Sequence, residues 1–155
     1  MSEFTYAETC RNILFAAKPM LSAFVSTALE DLQLSENDEA CTEGREPRDA
    51  GTIYELNEET FAKLAAMCEA FETAMPRSIA AALELKPKGE GFEYARQPLT
   101  HERLGALLWL GVTGSGVTFT DDGCAVCLVA MAEYARGIYC EGLDFGDEGE
   151  IYLIS

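Results

Sequence analysis

The stretch Gly105–Gly123, GALLWLGVTGSGVTFTDDG, decides how the second half of the chain is read. Leu107 to Val112 is an apolar run. Thr113-Gly114-Ser115-Gly116 places glycines where a tight turn needs positive φ, and Val117-Thr118-Phe119-Thr120 alternates apolar with polar. That order predicts a β-hairpin. Asp121-Asp122-Gly123 closes it and offers a cap to a short helix over roughly Cys124–Arg136, with Gly137 as its stop. Ile138–Phe145 and Glu150–Ile154 then flank Gly146-Asp147-Glu148-Gly149, which predicts a second hairpin.

Working back toward the N-terminus, the period changes from two to about 3.6. Tyr6, Cys10, Leu14, Ala17, Leu21, Phe24, Ala28 and Leu32 recur at three- and four-residue steps, as one face of a helix over Phe4 to about Leu34 does. Pro19 lacks the amide donor, so a kink or a junction of two helices is expected near Lys18. Ser35–Gly51, SENDEACTEGREPRDAG, has almost no large apolar side chain and is expected to be a solvated acidic loop. A second helix begins after Asn57, a natural N-cap, with Glu58 and Glu59 in its first turn and Leu56 placed to staple against Phe61. Phe61, Leu64, Cys68, Phe71 and Met75 form its buried stripe. Pro76 breaks it, and Ile79, Ala82 and Leu83 continue the stripe as far as the KPKGEG segment. The expected fold is α+β in one domain over residues 1–155. A helical half (1–85, with the acidic loop 35–51) packs on a hairpin–helix–hairpin half (104–155), in the order α-α-β-β-α-β-β.

The length of 155 residues suffices for a real core without disulfides or metal. No apolar run approaches the ~18 residues of a membrane span, and MSEFTYAETC lacks the layout of a signal peptide. A cytoplasmic location, without membrane association, is therefore expected. The six cysteines (Cys10, Cys41, Cys68, Cys124, Cys127, Cys140) then read as reduced thiols that pack as small hydrophobes.

The residues Gly105–Gly123 and the later EGLDFGDEGEIYL (Glu141–Leu153) resemble a family of small, acidic, uncharacterised proteins encoded by phages and prophages. The family's C-terminal pattern runs GHDFWLTRNGHGAGFWD, a helix, then a strand and GDDGxIY. Trp109-Leu110, Gly114, Gly116, Phe119 and Asp121 fall in register with it, as do Gly146-Asp147, Gly149 and Ile151-Tyr152. The Met67-Cys68-x-x-Phe71 helix looks like the family's M-x-x-DC-x-x-F helix. The resemblance covers roughly the last ninety residues. It implies a double-hairpin framework and a phage context, and no reaction. Gly105-Ala106-Leu107 stands where the family has Gly-His-Asp, and Thr113-Gly114-Ser115-Gly116 where it has Asn-Gly-His-Gly. Chemistry resting on those histidines and that acid has no counterpart here.

Other catalytic signals are thin. Cys124-Ala125-Val126-Cys127 at a helix start fits a redox dithiol or half a zinc site, but no second C-x-x-C exists to complete the zinc set. Packing against the sheet is the simpler role for both thiols. His101, the sole histidine, sits in a polar Thr100-His101-Glu102-Arg103 connector with no nucleophile beside it. Ser115 lacks the strand–turn–helix setting of a nucleophile elbow. The Thr113–Gly116 turn has no nearby cation for a phosphate. The acidic segments lack calcium-loop spacing. No catalytic residue, metal ligand or cofactor is assigned.

Charge is the informative quantity. Eleven Lys+Arg against 27 Asp+Glu leave −16, which argues against direct nucleic-acid binding. Between Glu30 and Glu59 eleven acids face only Arg45 and Arg48, and Glu141–Glu150 holds five acids and no base. Sixteen charges match about 27 Å of duplex DNA axis, on a globule about 40 Å across. This pattern suits a non-enzymatic protein that occupies the basic, nucleic-acid-binding site of a host protein or complex. Inhibition of a CRISPR or restriction system is the leading case. Glu36, Asp38, Glu39, Glu43, Glu46 and Asp49, with Asp144, Asp147 and Glu148, are the expected partner-binding residues. Tyr54, Phe92 and Tyr94 are candidate apolar anchors. A solvated acidic face without a partner, a self-associating scaffold, and a thiol or metal enzyme on Cys124 and Cys127 are the competing readings.

Overall fold

A computed structural model describes residues 16–43, 56–86, 94–115, 118–146 and 150–154, with side chains as far as Leu34 in the first of these. Five α-helices and one two-stranded antiparallel sheet lie among the described residues: α1 Pro19–Glu43, α2 Glu58–Ala74, α3 Pro76–Glu84, α4 His101–Val112, α5 Val126–Gly137, β1 Gly142–Phe145 and β2 Ile151–Ile154. The chain is thus mixed α and β but mostly helical.

Several boundaries follow from single residues. The helical run breaks at Lys18 and restarts with Pro19 at the first position of α1, where a missing amide costs nothing. Asn57 caps α2, its Oδ1 accepting from the Thr60 amide at 2.7 Å. Pro76 opens α3 directly after α2 ends. Thr100 caps α4, its hydroxyl accepting from the Arg103 amide at 3.1 Å.

Among the described residues the first expected hairpin does not form. Leu107–Val112 is the second half of α4, and Thr100-His101-Glu102-Arg103 is the cap and first turn of that helix, not a connector. A short apolar run reads equally as a buried strand or a buried helix segment. Burial of Leu104, Leu107, Leu108 and Val112 at helical steps resolves it. Gly114 does adopt positive φ (67°), but it closes α4, its amide bonded to the Gly111 carbonyl. A 3-10 helix over Phe119–Asp122 replaces the second expected strand. The last two expected strands do pair, over a shorter span than expected, since the first begins at Gly142 and not at Ile138: Gly142 pairs with Ile154, Leu143 with Leu153, Asp144 with Tyr152 and Phe145 with Ile151. The start of α2 covers the outer edge of β2. Leu56 bridges to Ile151, the Asn57 amide donates to the Ile151 carbonyl at 3.1 Å, and the Thr60 hydroxyl accepts from the Leu153 amide at 3.1 Å.

One core runs through these elements, with α4 at its centre. On one side α4 crosses α1. There a Cβ at Gly105 would run into the Met20 carbonyl, and Trp109 meets Phe24 edge-on, with centroids 5.5 Å apart at 83°. On another side α4 meets α5, where a Cβ at Gly111 would lie 2.8 Å from that of Ala135. Phe71 of α2 stacks on Phe119 (5.7 Å) and tilts against Tyr134 of α5 (5.6 Å).

Asp122 was expected to help cap the following helix; it does something else. Its side chain, 4% exposed, receives Arg103 Nε at 2.8 Å and a second guanidinium nitrogen at 2.9 Å, with the Gln97 amide at 3.3 Å from both oxygens. The Arg96 amide donates to its backbone carbonyl at 2.6 Å. This set ties the segment before α4, α4 itself and the 3-10 helix together. The Arg103 hydrogen bonds, and then its charge, hold the Asp122 carboxyl below the usual carboxylate range despite burial.

Two stability measurements check this packing. Gly105→Ala gains about 1 kcal/mol of helix propensity but overpacks a backbone crossing, so a net loss of about 2 kcal/mol is expected as a lower urea midpoint at unchanged slope. An unchanged or raised midpoint would show that the crossing has room. Asp122→Asn is expected to cost about 2–3 kcal/mol at pH 7, moderated by the one-third exposure of Arg103. A lowered folded-state pKa contributes stability above the unfolded value of about 3.9 and loses it as pH falls through the folded value. The gap between the two proteins should therefore be full at neutral pH and close below about pH 4. A gap constant down to pH 2 contradicts the assignment.

Candidate functional site

The segment Glu30–Glu43, EDLQLSENDEACTE, carries six acids and no base. Its second part was expected to belong to a loop, yet α1 continues unbroken to Glu43 over 25 residues. Extending an existing helix adds one hydrogen bond per residue fixed, so a polar run can follow an anchored apolar one. At 1.5 Å per residue, Glu30 to Glu43 spans about 20 Å, an average of about 4 Å between successive acidic positions. Measured along the duplex axis, the phosphates of one DNA strand rise by about 3.4 Å each.

Helical register makes the arrangement more specific. Leu21, Val25, Ala28 and Leu32 form the buried row of α1. Continuing that row at three- and four-residue steps reaches Glu36, Glu39 and Glu43. The azimuth that docks the first part of α1 onto the core therefore carries carboxylate residues in its last two turns. Asp31 hinges the two parts: its Oδ2 accepts from the buried Trp109 indole N–H at 3.3 Å. Leu34, which no sequence pattern singled out, is 70% exposed within the acidic stretch.

The structure thus brings Glu36, Asp38, Glu39 and Glu43 together on one helix. Asp144 lies on β1, a strand that packs against α1, and its Oδ1 accepts from the Phe145 amide at 2.8 Å. Glu46, Asp49, Asp147 and Glu148 lie outside the described residues, as do Tyr54 and Phe92. Tyr94 is half-buried.

The thiols occupy unlike environments, and none of Cys68, Cys124, Cys127 and Cys140 is in a disulfide. Burial, followed by the Glu72 carboxylate 3.8 Å away, pushes the Cys68 thiol up to about 12. Burial also raises Cys140. Cys124 is exposed and Cys127 is buried at the start of α5. Between them Ala125 is extended (φ −58°, ψ 147°), so the chain enters the helix only at Val126 and Cys124 stands outside the first turn. No group of three or more His, Cys, Asp or Glu able to hold a metal occurs among the described residues. His101 is exposed on the rim of an open cleft of about 340 Å³ lined also by Ala17–Met20 and Glu72. In the turn after α4, the Thr113 hydroxyl donates to the Trp109 carbonyl and the Ser115 hydroxyl to the Leu110 carbonyl, each at 2.9 Å. Both hydroxyls serve the helix end. No described helix is long and apolar enough to cross a membrane.

Comparison with protein-family models, with curated protein sequences and with solved structures finds no match to this chain.

Two measurements follow from the site. The last turn of α1 holds no base, and acids at a helix C-terminus or at three- and four-residue spacings are in general unfavourable. The double change Glu39→Gln, Glu43→Gln should stabilise the protein by about 0.5–1 kcal/mol at low ionic strength, and by much less at 1 M salt, where screening reaches within about 3 Å. A destabilised double variant would show that these carboxylates are bonded within the fold. Iodoacetamide at pH 8 on the native protein, read by mass spectrometry, should label Cys124 and spare Cys68 and Cys140. Labelling of Cys68 at the Cys124 rate contradicts its placement.

Proposed function

We propose that this chain is a non-catalytic, phage-type interaction protein that occupies the basic nucleic-acid-binding site of a host defence complex, of the CRISPR or restriction kind. The observation that carries the reading is the placement of Glu36, Asp38, Glu39 and Glu43 on a continuous helix, at an axial spacing close to that of phosphates on one strand. Carboxylates held on a helix lose less freedom on binding than carboxylates on a loop, so more of their attraction appears as affinity. Charge steers the encounter and sets its salt dependence; rim pairs alone contribute little. Exposed Leu34, within the same stretch, supplies an apolar contact for the partner. The resemblance of Gly105–Gly123 and Glu141–Leu153 to phage and prophage proteins supports the choice of a host defence complex as target.

Displacement of a fluorescent duplex from purified CRISPR effector complexes and restriction enzymes tests the proposal. The wild-type chain should compete at 50 mM salt and lose on the order of tenfold or more in potency by 200 mM. The triple reversal Glu36→Lys, Glu39→Lys, Glu43→Lys should abolish competition while leaving the far-ultraviolet dichroism spectrum intact. Competition that is flat in salt and indifferent to the reversal defeats the electrostatic mechanism. No competition against any member of the panel defeats the proposed role.

A further inference from the structure

We draw no further inference here: the strongest candidate, the open cleft between the start of α1, the Glu72 edge of α2 and the first turn of α4, gathers Lys18, Glu72 and His101 beside two helix N-termini, but all three side chains are exposed and no buried polar group or bound species points to what would occupy it.

Discussion

The crossing of α1 over α4 is the contact on which the rest of the structure depends. Gly105 lets the two backbones approach at Met20 and Phe24, one turn later Trp109 meets Phe24 edge-on, and its indole N–H reaches Asp31. These contacts fix both the position of α1 and its rotation. Rotation matters because it decides which row faces the core: Leu21, Val25, Ala28 and Leu32 do, and the azimuth of Glu36, Glu39 and Glu43 follows. The other faces of α4 are also engaged. Gly111 opposes Ala135 of α5, and Arg103 reaches Asp122 in the 3-10 helix.

Much of this was legible in the sequence where one residue type forces one geometry. Asn57 started α2, Pro19 and Pro76 placed helix starts, and the glycine-rich segment around Asp147 separated two strands that do pair. Two regions misled for physical reasons. The run Leu107–Val112 is apolar on every side because α4 is covered by α1 and α5, so the polar face that normally reveals helical period is missing. The local clue is modest: Thr100 is an N-cap residue type and Glu102 an acid suited to a first turn, and the Thr100 hydroxyl does accept from the Arg103 amide. In Ser35–Glu43 the absence of large apolar residues signalled a loop, although helix continuation needs only an anchored turn behind it. Asp122 was misassigned because its long-range partner Arg103 lies 19 residues away, beyond the reach of any local rule.

The acidic end of α1 conflicts with ordinary helix electrostatics. Acids favour the start of a helix and bases its end, yet here the only charged residues of the final two turns are acids. Local preference and overall structure usually agree in natural proteins, and departures concentrate where function imposes a cost. Elsewhere the pattern is mixed: α2 carries Glu58 and Glu59 in its first turn and α5 has Arg136 in its last, where they complement the helix, whereas α2 and α3 also close on an acid, Glu72 and Glu84, with no base.

Trp109 is the sole tryptophan of the chain, fully buried, with its indole nitrogen on the carboxylate that joins the apolar and acidic parts of α1. Its emission spectrum is consequently a native optical gauge of the α1–α4 seam. Movement of the long helix, whether through loosening or through a molecule pulling on its charged end, changes the polarity around a single indole and registers as a wavelength shift without any attached dye.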